Sequence, residues 1–88
     1  MASADLQPAT VRELIVEHLA KRDVPAELIT DAASFTGDLA IDSLDLHALA
    51  IELEDEFGVV VSQRDATRLT TVGDAIAFVV QARAGSIA

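Results

Sequence analysis

SLDLHALAIELEDEFG, residues 43–58, is the stretch from which the architecture follows. Leu46, Leu49, Ala50, Leu53 and Phe57 fall at i, i+3, i+4, i+7 and i+11. Residues so spaced share one side of a 3.6-residue helix and predict a core-facing stripe. Leu44, Ala48 and Ile51 repeat on a flanking face, interrupted by His47 and bordered by Glu52 and Asp55. A fully buried helix would not carry so many acids, so part of that flank is expected to meet solvent. Gly58 is the stop signal, because glycine takes the left-handed cap conformation without a Cβ clash.

Upstream, Val11, Leu14, Ile15 and Leu19 form a second stripe, predicting a helix over about residues 8–22. Pro8 suits its first turn, and Lys21 and Arg22 fall in its last turn, where positive charge complements the helix dipole. A connection over about residues 23–42 follows, with Val24, Leu28, Ile29 and Phe35 as spaced apolar residues and a short helical turn expected at 26–30. Loops of that length are uncommon in small domains and are often functional. Downstream, Val59-Val60-Val61 has strand propensity but no alternating partner, so it reads as a buried connector. Ser62 with Asp65, and Thr71 with Asp74, have the spacing of capping boxes. They open a short helix ending near Leu69 and a last helix with the stripe Val72, Ala75, Ile76, Val79 and Val80. The expected fold is all-α: a small four-helix bundle of three main helices and one short one. The domain is expected at residues 8–83, with a flexible N-terminus at 1–7 and a flexible tail at 84–88.

The 88 residues indicate one domain, and 51% hydrophobic content is too high for a disordered chain. The chain has no Cys, so neither disulfides nor thiolate metal sites hold it together. Residues 1–10 lack a basic region followed by an apolar run, and no apolar stretch is long enough to span a bilayer. A soluble, cytoplasmic chain is expected. Fifteen acids against six bases give a net charge of −9, which argues against nucleic acid as a partner. No Lys or Arg lies between Arg22 and Arg64, whereas Asp23, Glu27, Asp31, Asp38, Asp42, Asp45, Glu52, Glu54, Asp55 and Glu56 do. These acids read either as a solubilising coat or as a docking face for basic partners.

The run Asp38-Leu39-Ala40-Ile41-Asp42-Ser43-Leu44-Asp45 delivers a serine from the long loop to the start of a helix. A serine there is most simply an N-cap. The same place suits a phosphate, because free N–H groups and the helix dipole favour an anion.

Residues 30–80 resemble the acyl carrier protein family, also called phosphopantetheine-binding proteins. Asp42-Ser43-Leu44 is similar to the family's modification motif. Ala33-Ser34-Phe35 followed by Asp38-Leu39 is similar to its loop. Leu53-Glu54-Asp55-Glu56-Phe57 is similar to the end of its second helix, and Leu69-Thr70-Thr71-Val72 to the start of its last. The resemblance implies a carrier of acyl-carrier-type fold with no catalysis of its own. It implies a 4′-phosphopantetheine arm, taken from coenzyme A by a phosphopantetheinyl transferase and attached to Ser43 between Asp42 and Leu44. The arm's thiol would supply the sulfur that this Cys-free chain lacks. The implied partners of this monomer are acyl-loading, condensing or acyltransferase enzymes with basic surfaces. They would dock on Asp45, His47, Ala48, Ile51, Glu52, Asp55 and Glu56.

Departures from the family pattern bear on the pathway. Ala40 stands where Gly is common, which is tolerable unless the loop requires a positive φ there. Leu46-His47-Ala48 stands where primary fatty-acid carriers commonly have Thr-Val-Glu, and Glu52 where a small apolar residue is usual. Fatty-acid, polyketide and aminoacyl cargoes all stay open. Three other readings compete with the carrier. Ser43 and His47 at i, i+4, with Asp45 near, suggest a nucleophile and base, but Asp45 lies off that face and no oxyanion site is evident. His18 with Glu17, or His47 with nearby acids, suggests a metal site, but His47 has no second ligand at the usual pair spacing, and an exposed His between helices is the usual case. An unmodified interaction module would use Leu44, Ala48 and Ile51 as its surface, with Ser43 as an ordinary cap.

Overall fold

The computed structural model describes residues 7–85. The flexible segments expected at 1–7 and 84–88 lie mostly outside that range. Helix α1 spans Pro8–Ala20, α2 Ser43–Phe57, α3 Gln63–Arg68 and α4 Val72–Gly85, with a single 3₁₀ turn at Ala26–Leu28. The four-helix expectation holds, and no strand occurs among the described residues.

Each helix starts and stops where local chemistry dictates. Gly58, at φ 67°, closes α2 by donating its N–H to the Glu54 carbonyl at 2.9 Å. Ser62 and Asp65 exchange side-chain and backbone bonds across the first turn of α3. Thr71 and Asp74 do the same before α4, each backbone N–H donating to the other's side chain at 3.1 Å. Helix α4 continues to Gly85, two residues past the expected domain boundary.

Regular α1 ends at Ala20, sooner than the expected 22. The chain then tightens: Arg22 N–H donates to the Leu19 carbonyl, Asp23 N–H to Ala20, and Val24 N–H back to Leu19 at 3.1 Å. This is a Schellman-type ending with Asp23 in the left-handed position at φ 65°. Asp tolerates that conformation better than most non-glycine residues. Lys21 and Arg22 therefore lie in the closing turn beyond the regular helix.

One core gathers Val11, Ile15 and Leu19 of α1, Leu49, Leu53 and Phe57 of α2, and Val72, Ala75, Ile76 and Val79 of α4. Helix α1 packs chiefly on α4, and α2 leans on both. Leu46 and Val80, expected in the core, are only half-buried at its rim. The long connection contributes Ile29, Ala33, Phe35, Leu39 and Ile41 to the core, with Phe35 completely buried. Of its expected apolar residues, Val24 is half-buried and Leu28 is 51% exposed. Backbone bonds fasten the connection to the start of α4: Phe35 N–H to the Thr70 carbonyl, Val72 N–H to Ala33, and Gly73 N–H to Asp31. Arg12 of α1 adds an ion pair to Asp31 and a bond to the Ile29 carbonyl at 3.3 Å. The loop that reaches Ser43 is thus anchored along its length.

Candidate functional site

The approach to α2 is a tied loop. Ser34 Oγ accepts from the backbone of Gly37 and Asp38, and Asp38 Oδ2 accepts from Ser34 N–H at 2.9 Å. A Cβ on Gly37 would stand 2.5 Å from Ser34 Oγ, so a larger residue would turn that hydroxyl away from its two bonds. Leu39 N–H then donates to the Ser34 carbonyl and Ile41 N–H to Phe35 at 2.8 Å. Between them Ala40 sits at φ 56°. The loop therefore does require a positive φ where Ala40 replaces the more usual glycine, and the residue is strained.

Asp42, not Ser43, caps α2. Its carboxylate accepts from Asp45 N–H at 2.8 Å, and its carbonyl accepts from Leu46 N–H at 3.0 Å. Ser43 is consequently the first helical residue. It is exposed, and its hydroxyl makes no hydrogen bond among the described residues. That arrangement answers the cap reading of Ser43, since the capping work falls to its neighbour. Beside Ser43, Leu44 is 80% exposed. A groove of about 350 Å³ runs from Ser43 between α2 and α3, lined by Leu46, His47, Gln63, Ala66 and Thr67. On the other side, a hollow of about 320 Å³ lies over the loop, lined in part by Arg22, Leu28, Leu39, Ala40 and Asp45.

Sequence-expected docking residues divide into two groups. His47 and Ile51 are exposed and Ala48 is half-buried on the flank of α2. Asp55 and Glu56 are exposed and unpaired among the described residues. Asp45 and Glu52 are instead engaged within the chain. Arg22 Nη2 donates to Asp45 Oδ1 at 2.9 Å. His18 Nδ1 lies 2.6 Å from Glu52 Oε1. Glu54, on the same helix, accepts from Val61 N–H at 2.7 Å and braces the connector. The Arg22 guanidinium is pushed above its ordinary pKa by its bond to Asp45, and further by the charges of Asp45, Glu52 and Asp42. The nucleophile–base arrangement of Ser43, His47 and Asp45 is not assembled, because the Ser43 hydroxyl is unbonded and Asp45 turns to Arg22.

Sequence reasoning did not place Arg22 and His18 at the site. They stand at i, i+4 near the end of α1, and their acids at i, i+7 on α2. Only the spacing within each helix was readable. That the two faces meet depends on helix packing. An exposed histidine is the expectation for His18, whereas it is 5% exposed and its Nε2 is buried without a partner among the described residues.

The family described as "Phosphopantetheine attachment site" matches residues 9–79. Among solved structures, the acyl carrier protein from Enterococcus faecalis is similar at 31% identity. That match covers 88% of this chain and 99% of the other, with a TM-score of 0.76.

Proposed function

The chain belongs to the phosphopantetheine attachment-site family, and on that premise we propose that it is an acyl carrier whose 4′-phosphopantetheine arm is attached at Ser43. The observation that carries this reading is the exposed, unbonded Ser43 hydroxyl at the first position of α2, with the cap supplied by Asp42. A phosphodiester there meets the N-terminal end of the helix dipole, which favours an anion. Ser43 is also free to be modified without cost to the helix, since Asp42 keeps the first turn satisfied.

A phosphopantetheinyl transferase would join Ser43 Oγ to the pantetheine phosphorus of coenzyme A. The adenosine bisphosphate half leaves, and the hydroxyl proton passes to the transferase. The bound arm supplies a thiol that holds acyl groups as thioesters. The chain's own part is to present and position. Leu44 offers an exposed apolar contact next to the attachment point, and the groove from Ser43 along Leu46, His47 and Ala66 gives the arm a partly apolar bed. Tethering raises the effective concentration of the acyl group at successive enzymes.

The cytoplasm is the proposed location, and no helix among the described residues is long and apolar enough to cross a membrane. Partners with basic surfaces would dock on α2 around Leu44, His47, Ala48, Ile51, Asp55 and Glu56, with Asp45 and Glu52 at its inner edge. The cargo belongs to fatty-acid or related acyl or polyketide biosynthesis.

Incubation with coenzyme A and a broad-specificity transferase should add the mass of one arm to the intact chain. Ser43→Ala should abolish that gain while leaving the helical circular dichroism unchanged. An arm on the Ser43→Ala chain would move the site elsewhere. A wild-type chain that is never modified would leave an unmodified interaction module.

A further inference from the structure

We propose that Arg22 is a specificity-determining residue of this carrier, masking Asp45 so that a basic partner must displace its guanidinium to dock beside Ser43. This rests on the reading of α2 as the docking face.

Arg22 is the last base before a run of acids extending to Arg64, and the fold aims it into that run. Its backbone is fixed in the closing turn of α1, where its N–H bonds the Leu19 carbonyl at 2.9 Å and Asp23 ends the turn in the left-handed conformation. From there the side chain crosses to Asp45, in the first turn of α2 and two residues past Ser43. Asp42 and Glu52 add their fields to the same guanidinium. Lys21, one residue earlier, makes no ion pair among the described residues. The pairing is thus particular to Arg22.

The consequence is an uneven helix. At the end near Ser43, Asp45 already has a charge-assisted partner. At the far end, Asp55 and Glu56 are exposed and unpaired among the described residues. Asp55 and Glu56, with the N-cap Asp42, therefore keep their charge for long-range attraction of a basic surface, whereas docking onto Asp45 requires exchange of one cation for another. Both members are partly open to solvent, with 36% of the Arg22 side chain and 31% of Asp45 accessible. A partner can reach the pair, and exposed pairs of this kind are weak enough to be exchanged. Partners without a cation positioned to replace Arg22 gain nothing from Asp45. Those with one gain the full charge-assisted bond.

The test is the association rate of the 88-residue apo chain with a broad-specificity phosphopantetheinyl transferase, measured across a range of salt. Variants are Arg22→Gln, Lys21→Gln, Asp45→Asn and the double variant Arg22→Gln/Asp45→Asn. Lys21→Gln changes the net charge by the same unit and controls for bulk charge. Arg22→Gln should associate faster than Lys21→Gln by on the order of threefold at low salt, the advantage shrinking as salt screens it. In the Asp45→Asn background the advantage should disappear. Equal rates for Arg22→Gln and Lys21→Gln, or a slower Arg22→Gln, with Asp45→Asn still slowing association, would overturn the masking role and leave the docking face standing. No effect of Asp45→Asn with or without Arg22 would remove Asp45 from the docking face, and the proposal with it.

Discussion

Ala40 holds a left-handed conformation, φ 56°, in a loop fixed on both sides by backbone bonds from Leu39 and Ile41. An alanine in that region is disfavoured by about 1–2 kcal/mol through Cβ contact with the carbonyl, and glycine avoids the contact at some entropic cost. Ala40→Gly should therefore stabilise the chain by about 1 kcal/mol, a rise in melting temperature of about 4–8 °C for a domain of this size. An unchanged or lower melting temperature by circular dichroism would show that Ala40 is not strained. The position was singled out from sequence, but its backbone angle was not readable there. The angle depends on Phe35 being fixed by Thr70, a contact between distant segments. Ser43 was more legible than Ala40, because a polar residue before a periodic apolar run signals a helix start. The division of labour between Asp42 and Ser43 was not, since either can cap and only the geometry distinguishes them.

Among the elements, the seam between α1 and α2 carries a polar joint that neither helix discloses alone. Helix starts and stops were readable at Gly58, Ser62 and Thr71, because capping is a matter of residues within one turn. The end of α1 was not, because Asp23 takes a role usually filled by glycine. Nor was the joint of His18 and Glu52, which needs the packing of one helix on another. His18 is 5% exposed, with Nδ1 bonded to Glu52 and Nε2 unpartnered. Removing Glu52 leaves both ring nitrogens without a protein partner, and such a loss costs about 1–3 kcal/mol. Replacing both members with apolar groups avoids the penalty. Glu52→Ala should thus lower the urea midpoint, and His18→Leu/Glu52→Ala should recover most of it. A double variant no better than Glu52→Ala would show that the joint contributes as a pair.

Across the whole molecule, two of the six bases hold the loop and the seam. Arg12 ties the long connection through Asp31, and Arg22 ties α1 to α2 through Asp45. The net charge of −9 was plain in the sequence, but which acids would be compensated was not. Farther along the same two helices, Glu13 and Glu17 of α1 and Glu56 of α2 line one hollow with Thr10, Leu14 and Phe57, and no base lines it. Three like charges there repel one another across the two helices, and the compact state alone brings them together. Glu56→Gln should therefore stabilise the chain by about 0.3 kcal/mol at low salt, the scale of a like-charge pair on a helix surface. The gain should vanish near 1 M salt, where the Debye length falls to about 3 Å. Asp45→Asn, which gives up an attraction, should shift the melting temperature in the opposite direction. Both substitutions remove one negative charge. If bulk repulsion alone governed stability, the two would raise the melting temperature equally, and equal rises across the salt series would refute the local argument. Opposite signs at low salt, converging as salt is added, are what this arrangement of pairs and unpaired acids requires.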